Sequence, residues 1–383
     1  FLLKKDIMEI LIKIAKIDTE IAKNELKRQL QSHISELTRV YWALYLSRIH
    51  YLIRQHSLEK IANIAKEMKE RKNIDVIKSQ IYRTEAALAD QKAKLIRAKV
   101  AIQNTQDRFV SLINDPELEK LKEIIPVDTP ITTYSNGTLA KAVQAAIKMR
   151  PEIQQAVHKI HAGKIRLGMT RNELLPILDV TFEAGLYRLR DEGDAFGAMS
   201  DEFDTEADPG FKIGFRLEFP LGNRRARARH LRNKIEMRQL MNQLKTTLES
   251  IIFEVKVSLR EVDTSYEEFI AKQKVFIAAK KEFKALKERR VLETILEGKQ
   301  NTSSYLENLL DSIGRVAGAE YSMIKSLIDY NMAIVNFRRV QGSLLEYHGV
   351  EGHEILDQDN VPLLRLITKH YKEKLENEAK KET

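Results

Sequence analysis

Residues able to do chemistry are scattered along this 383-residue chain, and few of them converge. His158 and His161 stand one helical turn apart, a spacing that lets two imidazoles share a metal. A stable site needs further ligands with hydrogen-bonded support, and the neighbours here are Lys159 and Lys164. A solvated helix face explains the pair better, and no metal is expected. The segment 188–209 carries Asp191, Glu192, Asp194, Asp201, Glu202, Asp204, Glu206 and Asp208. Its acids lack the ordered ligand spacing of a calcium loop, so a soluble loop is the simpler reading. Arg224, Arg225, Arg227, Arg229 and Arg232 form a basic run that would attract phosphate. No recognition fold or aromatic platform accompanies it, so no nucleic-acid partner is expected. No phosphate-binding glycine loop and no Ser/His/Asp or Cys/His arrangement is present. The chain therefore reads as no enzyme, with no catalytic residues and no cofactor.

What must position any function is a set of long helices. The composition, 43% hydrophobic and 31% charged with only 7% aromatic residues, suits extended helices whose side chains mostly face water. A net charge of +9 permits nucleic acid, anionic lipid or acidic partners and selects none. Without cysteine, disulfides and thiolate metal sites are excluded. No stretch approaches the roughly 18–20 consecutive apolar residues of a membrane-spanning helix. The first residue is Phe1 rather than Met, which leaves room for a signal peptide upstream.

Glycine and proline punctuate the chain. Residues 1–115 and 223–297 contain neither. At about 1.5 Å per residue the second gap predicts a single helix about 110 Å long. Leu244, Leu248, Ile251, Val255, Leu259 and Val262 recur at three- and four-residue steps, with Lys245, Glu249, Glu254 and Lys256 on other faces. Such a stripe needs packing partners along its whole length. Between the gaps, 114–137 reads as a loop-rich connector with weak strand potential. Residues 139–166 read as a helix N-capped by Thr138, with Ala142, Ala145, Ala146, Ile153 and Val157 among its smaller apolar residues.

The chain also resembles itself at an offset of about 218 positions. Phe1 falls on Phe219, Leu3 on Leu221, Leu26 on Leu244, Leu30 on Leu248, Ile34 on Ile252 and Glu36 on Glu254. Farther along, Ile74 faces Leu306, Ile77 faces Leu309, Ile81 faces Ile313, Ala101 faces Ala333 and Leu112 faces Leu344. Their order and joint spacing mark a duplicated unit of helix, sharp turn and returning helix. The turns fall at 72–75 and 298–303. Phe1 stands where the second copy has just left a hairpin, so a first hairpin is expected upstream.

That hairpin comes from two alternating segments around the acidic loop. In the first, Val180, Phe182, Ala184 and Leu186 share a side. In the second, Phe211, Ile213, Phe215, Leu217 and Phe219 share one face, and Lys212, Gly214, Arg216 and Glu218 the other. A soluble sheet would pack its oily face on a core. Here the polar face carries full charges, and no neighbouring segment reads as a second sheet. Both segments have the roughly nine to eleven residues of a transmembrane strand. A lone hairpin leaves open edges, so several chains would have to pool hairpins into one closed barrel.

"RPEIQQAVHKIHAGKIRLGMTRNELLPILDV" (150–180), "FRLEFPLGNRRARA" (215–228), "IDYNMAIVNFRRVQGSLL" (328–345) and, more weakly, "VYWALYL" (40–46) resemble the TolC-type outer membrane efflux family in order and frame. The resemblance implies a mainly α fold with a membrane β-hairpin. Long antiparallel helices would form a coiled-coil barrel, and trimerisation would complete a twelve-stranded β-barrel. It implies a homotrimeric export duct in the outer membrane with a periplasmic extension, working with a periplasmic adaptor and an inner-membrane pump. Adaptor contacts would fall on the turns Lys72, Asn73, Ile74, Asp75 and Gly298, Asn301, Thr302, Ser303, with Asn73 where a glycine is usual. Phe211, Ile213, Phe215, Leu217 and Phe219 would face lipid. Pro220, Gly222, Asn223, Arg224 and Arg225 would form the barrel–tunnel junction, where arginines meet lipid headgroups. Asp311 and Asp329 could line the tunnel near its closed end, where acidic rings select cations under trimer symmetry, and a solvated outer face would explain either one as well. The domains would run 1–113 (first helical hairpin, truncated), 114–138 (connector), 139–177 (helix), 178–221 (membrane hairpin), 222–345 (second helical hairpin) and 346–383 (equatorial tail). The competing architecture is a soluble coiled-coil scaffold that docks a partner and has no pore.

Overall fold

The computed structural model describes residues 4–70, 78–134, 137–187, 208–296 and 302–350. In chain order the elements are α1 (Lys4–Glu70), α2 (Lys78–Ile113), α3 (Pro116–Glu119), α4 (Leu139–Met149), α5 (Pro151–Asn172), β1 (Ile177–Tyr187), β2 (Asp208–Glu218), α6 (Arg224–Leu296), α7 (Thr302–Gln341) and α8 (Leu344–Tyr347). The glycine- and proline-free gaps are the long helices, and α6 alone has 73 residues. Among the described residues no helix is long and apolar enough to cross a membrane.

The chain divides into two compact units, Phe1–Leu30 with Arg150–Glu254, and Gln31–Met149 with Val255–Thr383. In the second unit α6 buries Val255, Ser258, Val262, Ser265 and Phe269. That alternation of three- and four-residue steps is a heptad seam, whose 3.5-residue period keeps one stripe against its neighbours along a long helix. The expected stripe is therefore real, with Leu244, Leu248 and Leu259 only half-buried at its margins.

Helix α7 is the most enveloped element of that unit. Between Ile328 and Gln341 it buries Ile328, Tyr330, Asn331, Ala333, Ile334, Val335, Phe337, Val340 and Gln341, residues on all of its faces. A helix apolar nearly all round must be surrounded. Helix α4 packs on it, and Ala142 and Ala146, both buried, keep that face of α4 small enough for close approach. The repeat holds where both copies are covered: Ile81 and Ile313 are both buried. It loosens where they are not, since Ala333 is buried and Ala101 exposed.

The connector forms no strand. After Asn114, at φ 54°, Asp115 caps α3 by accepting the Glu117 N–H at 2.9 Å, and the chain then runs extended past Pro126 and Pro130. Side chains replace ladder partners. Asn331 Oδ1 accepts the Ile131 N–H at 2.9 Å, while Nδ2 donates to the Ile131 carbonyl at 3.1 Å and the Leu327 carbonyl at 2.8 Å. The Tyr330 hydroxyl donates to the Thr133 carbonyl at 2.8 Å. Tyr134 reaches Asp263 and Tyr41 reaches Asp128, each at 2.7 Å.

The segment 139–166 is not one helix. Arg150 adopts an extended conformation and Pro151 opens α5 at its first turn. Proline disfavours the helical conformation of the preceding residue and fits the first turn of the next helix. Thr138 does stand at the start of α4, its carbonyl accepting the Ala142 N–H at 3.0 Å.

Replacing Asn331 by Ala leaves both polar groups of Ile131 without their partner, and should lower unfolding free energy by about 1–3 kcal/mol. Tyr330→Phe should cost about 0.5–1.5 kcal/mol. Denaturant titration of the purified protein compares the two, and an equal or larger loss for Tyr330→Phe would contradict the Asn331 clamp.

Candidate membrane-facing hairpin and its junction

Strands β1 and β2 pair antiparallel, with Leu178 opposite Leu217, Val180 opposite Phe215, Phe182 opposite Ile213 and Ala184 opposite Phe211. Directly opposed residues share a face, so these eight form one apolar surface. Phe182 and Phe211 stack across it with ring centroids 6.1 Å apart. The alternate pairs Asp179–Arg216, Thr181–Gly214 and Glu183–Lys212 form the other face. There Lys212 Nζ lies 3.7 Å from Glu183, and Thr181 donates to the Gly214 carbonyl at 3.3 Å.

Nothing among the described residues covers the apolar face. Phe215 is 75% exposed and Phe211, Leu217 and Phe219 are each 69% exposed. These are values for residues standing in the surroundings rather than in a core. Among the described residues the sheet has two strands, and there both outer edges carry backbone groups with no ladder partner. Eleven residues at about 3.3 Å each span about 36 Å, and a tilt of about 45° brings that near the roughly 25 Å apolar band of an outer-membrane barrel.

The feet of the hairpin are fixed by a compact junction. Gly222 and Asn223 both take left-handed backbone, at φ 77° and 34°, which ends the strand and turns the chain into α6. Glycine and asparagine enter that region most readily. The Asn223 carbonyl accepts the Arg227 N–H at 3.0 Å, starting the helix. Its side chain does something the sequence did not foretell: Nδ2 donates to the Glu173 carbonyl at 3.2 Å, joining the end of α5 to the start of α6. Arg229 binds the Glu173 carboxylate at 2.9 Å. Pro220 is half-buried, while Arg224 and Arg225 are exposed.

Deeper in the same unit Arg150, almost wholly buried, donates to Glu254 through both terminal nitrogens. Glu254 was expected on a solvated face, but it anchors the start of α5. The two residues bound an open groove of about 950 Å³ between α5 and α6, lined by polar residues such as Gln155, Gln243 and Thr247 and by apolar ones such as Ile235, Leu240 and Ile251. Gln155 crosses to α1 at Glu25, 3.1 Å away. Hydrogen bonds from Arg28, then Gln155 and Gln29, hold the Glu25 carboxyl down at about 2.

The other candidate residues fare unevenly. Lys72, Asn73, Ile74, Asp75, Gly298 and Asn301 lie outside the described residues, as does the acidic loop. Thr302 and Ser303 open α7. Asp311 and Asp329 are exposed on α7, a whole number of turns apart, and so on one helix face. Partial loss of solvent pushes the Asp329 carboxyl above the usual range, Glu268 and Glu261 add repulsion, and Lys325 offsets part of it. His158 is half-buried and His161 exposed, and no group of metal-binding side chains assembles among the described residues. The residues missed were Asn331, Tyr330 and Arg150. All three lie within or at the edge of the quoted motifs, but a polar side chain in a helical run does not announce which backbone it will hold.

No family model matches the chain, and no curated protein matches it. Solved structures do. The outer-membrane channel OprN superposes with a TM-score of 0.70 at 17% identity, over 88% of this chain and 72% of that one. The fold is that of outer-membrane channels. The CmeC outer membrane channel of Campylobacter jejuni matches at 0.64 and 16% identity, over 88% and 68% of the two chains. The open state of the MtrE outer membrane channel of Neisseria gonorrhoeae matches at 0.67 and 15% identity, over 86% and 71%. The observed mainly α fold with a β-hairpin, and these neighbours, agree with the fold expected from the motifs.

Asn223→Ala should destabilise the protein by about 1–2 kcal/mol, because alanine must hold left-handed backbone. Asn223→Gly should lose less, since it surrenders only an exposed hydrogen bond. Thermal melts of the two variants test the order. For Asp329 the folded state favours the protonated form, so its contribution to stability declines as pH rises through the raised pKa. Asp329→Asn should flatten that decline as pH rises from the ordinary carboxylate range, by a small amount that salt screens. An unchanged pH profile would refute the assignment.

Proposed function

We propose that the chain is a subunit of a trimeric outer-membrane export duct for efflux or secretion. The observation that carries this is the hairpin: one face wholly apolar and uncovered, the other charged and cross-paired, on the fold of outer-membrane channels. Lipid would cover Phe211, Ile213, Phe215, Leu217 and Phe219, while Lys212, Arg216, Asp179 and Glu183 would face the aqueous lumen. Trimerisation would pool the hairpins so that every strand edge is paired. The long helices would continue the duct through the periplasm. The protein would be passive, with energy supplied by an inner-membrane pump through a periplasmic adaptor docking at the turns 72–75 and 298–303. The structural neighbours are channels rather than enzymes, which agrees with the absence of a catalytic arrangement in the sequence. A soluble scaffold is disfavoured because it would leave the apolar face in water.

The test starts from the full-length gene. Detergent extraction from the outer-membrane fraction should yield a trimer that forms conducting pores in planar bilayers, and a soluble monomer would overturn the proposal. Phe215→Lys should disfavour the inserted state by about 2–4 kcal/mol, whereas Lys212→Gln should leave insertion nearly unchanged. Reversing Asp311 or Asp329 to Lys should reduce cation preference in reversal-potential measurements. Unchanged selectivity would remove those two residues from the pore.

A further inference from the structure

The arginines at the foot of the hairpin have no partner that explains them. Arg171 ends α5, and Arg224, Arg225 and Arg227 occupy the first turn of α6. All four are exposed. Among the described residues no carboxylate lies within ion-pair distance of any of them, and Glu173, two residues from Arg171, is already bound to Arg229. From Phe219 to Ile235 the chain has no acidic residue. Helix stability does not account for the cluster on α6 either, because the positive end of the helix dipole repels cations in the first turn. Packing gives no reason: Ala226 is the buried residue of that turn, and the arginines fan over the remaining surface.

Beside them stands the opposite chemistry. Phe219 is 69% exposed and Leu221 92% exposed, and Leu175 on the other foot is 52% exposed. Glu218, the last residue of β2, lies on the charged face of the sheet opposite Ile177, and not on the face that carries Phe215, Leu217 and Phe219. Apolar side chains next to unpaired cations, at the end of an apolar strand face, match the layering of acyl chain and phosphate at a bilayer surface.

We propose that Arg171, Arg224, Arg225 and Arg227 form a cationic collar that binds the phosphates of anionic phospholipids in the periplasmic leaflet of the outer membrane. Phe219 and Leu221 sit among the acyl chains at that level. The collar rests on the duct reading, and it fixes the depth at which the barrel gives way to the helices. The guanidinium groups do the binding, each offering several donors to a phosphate.

The test uses the full-length trimer reconstituted into phosphatidylethanolamine vesicles containing one-quarter phosphatidylglycerol, with spin-labelled forms of each lipid reporting association. The wild type should prefer labelled phosphatidylglycerol severalfold, and high salt should weaken the preference. R224Q/R225Q/R227Q should bring it close to parity with conductance unchanged, and the corresponding triple lysine variant should restore most of it. Normal conductance with no preference in the wild type, or an undiminished preference in the glutamine variant, would overturn the collar alone. If the glutamine variant fails to assemble, the salt dependence of the wild type decides, and a salt-insensitive preference counts against the collar. Absence of conductance in the wild type would instead remove the duct reading and the collar with it.

Discussion

An apolar sheet face and an unpaired sheet edge make opposite demands on their surroundings. The face must leave water, and the edge must find hydrogen-bond partners. The β1–β2 hairpin has both on the same two strands, so no single aqueous or apolar environment satisfies it as it stands. A closed barrel in lipid resolves the conflict, because neighbouring strands pair the edges while lipid takes the face. The remaining features are readable as consequences. On the proposed duct reading, the opposite face is charged and cross-paired because a lumen would contain water. The loop between the strands is acidic and polar in sequence, and long helices follow immediately on both sides.

Those helices face a second constraint, since a helix of some 70 residues with an apolar stripe draws most of its stability from packing that stripe. The heptad seam of α6 from Val255 to Phe269 and the burial of α7 on all faces from Ile328 to Gln341 supply that packing in the second unit. The connector adds the lateral tie. Being proline-containing and extended, it cannot satisfy its own backbone, and Asn331 and Tyr330 do so from α7. Buried amide and hydroxyl groups thereby hold together pieces of chain some 200 residues apart.

Strand and helix meet at the hairpin's foot, where two left-handed residues redirect the chain and Asn223 ties the returning helix to the departing one. The polar ties bracket the hairpin on its helical side, with Glu173 engaged by both Asn223 and Arg229. The apolar residues beside them remain open to whatever surrounds the molecule.

Much of this was legible in the residues. Missing glycine and proline marked the long helices. Strict alternation in 211–219 fixed the strand's two faces, and Gly222–Asn223 marked its end, because these signals depend on backbone sterics and on side-chain periodicity alone. The parity of the cross-strand register also follows, since a slip of one residue would put phenylalanine opposite lysine, but a slip of two would keep both faces and only the structure decides between them. Apolar spacing could not say that 139–166 breaks at Pro151, although proline itself disfavours helix at the residue before it. Nor could it say that Glu254 would leave the solvated face to meet Arg150, or that Asn331 would serve Ile131. Those pairings join residues distant along the chain, so only the packed structure could bring their atoms within hydrogen-bond reach. Local pattern determined the elements and their faces, and tertiary packing decided which polar groups hold them together.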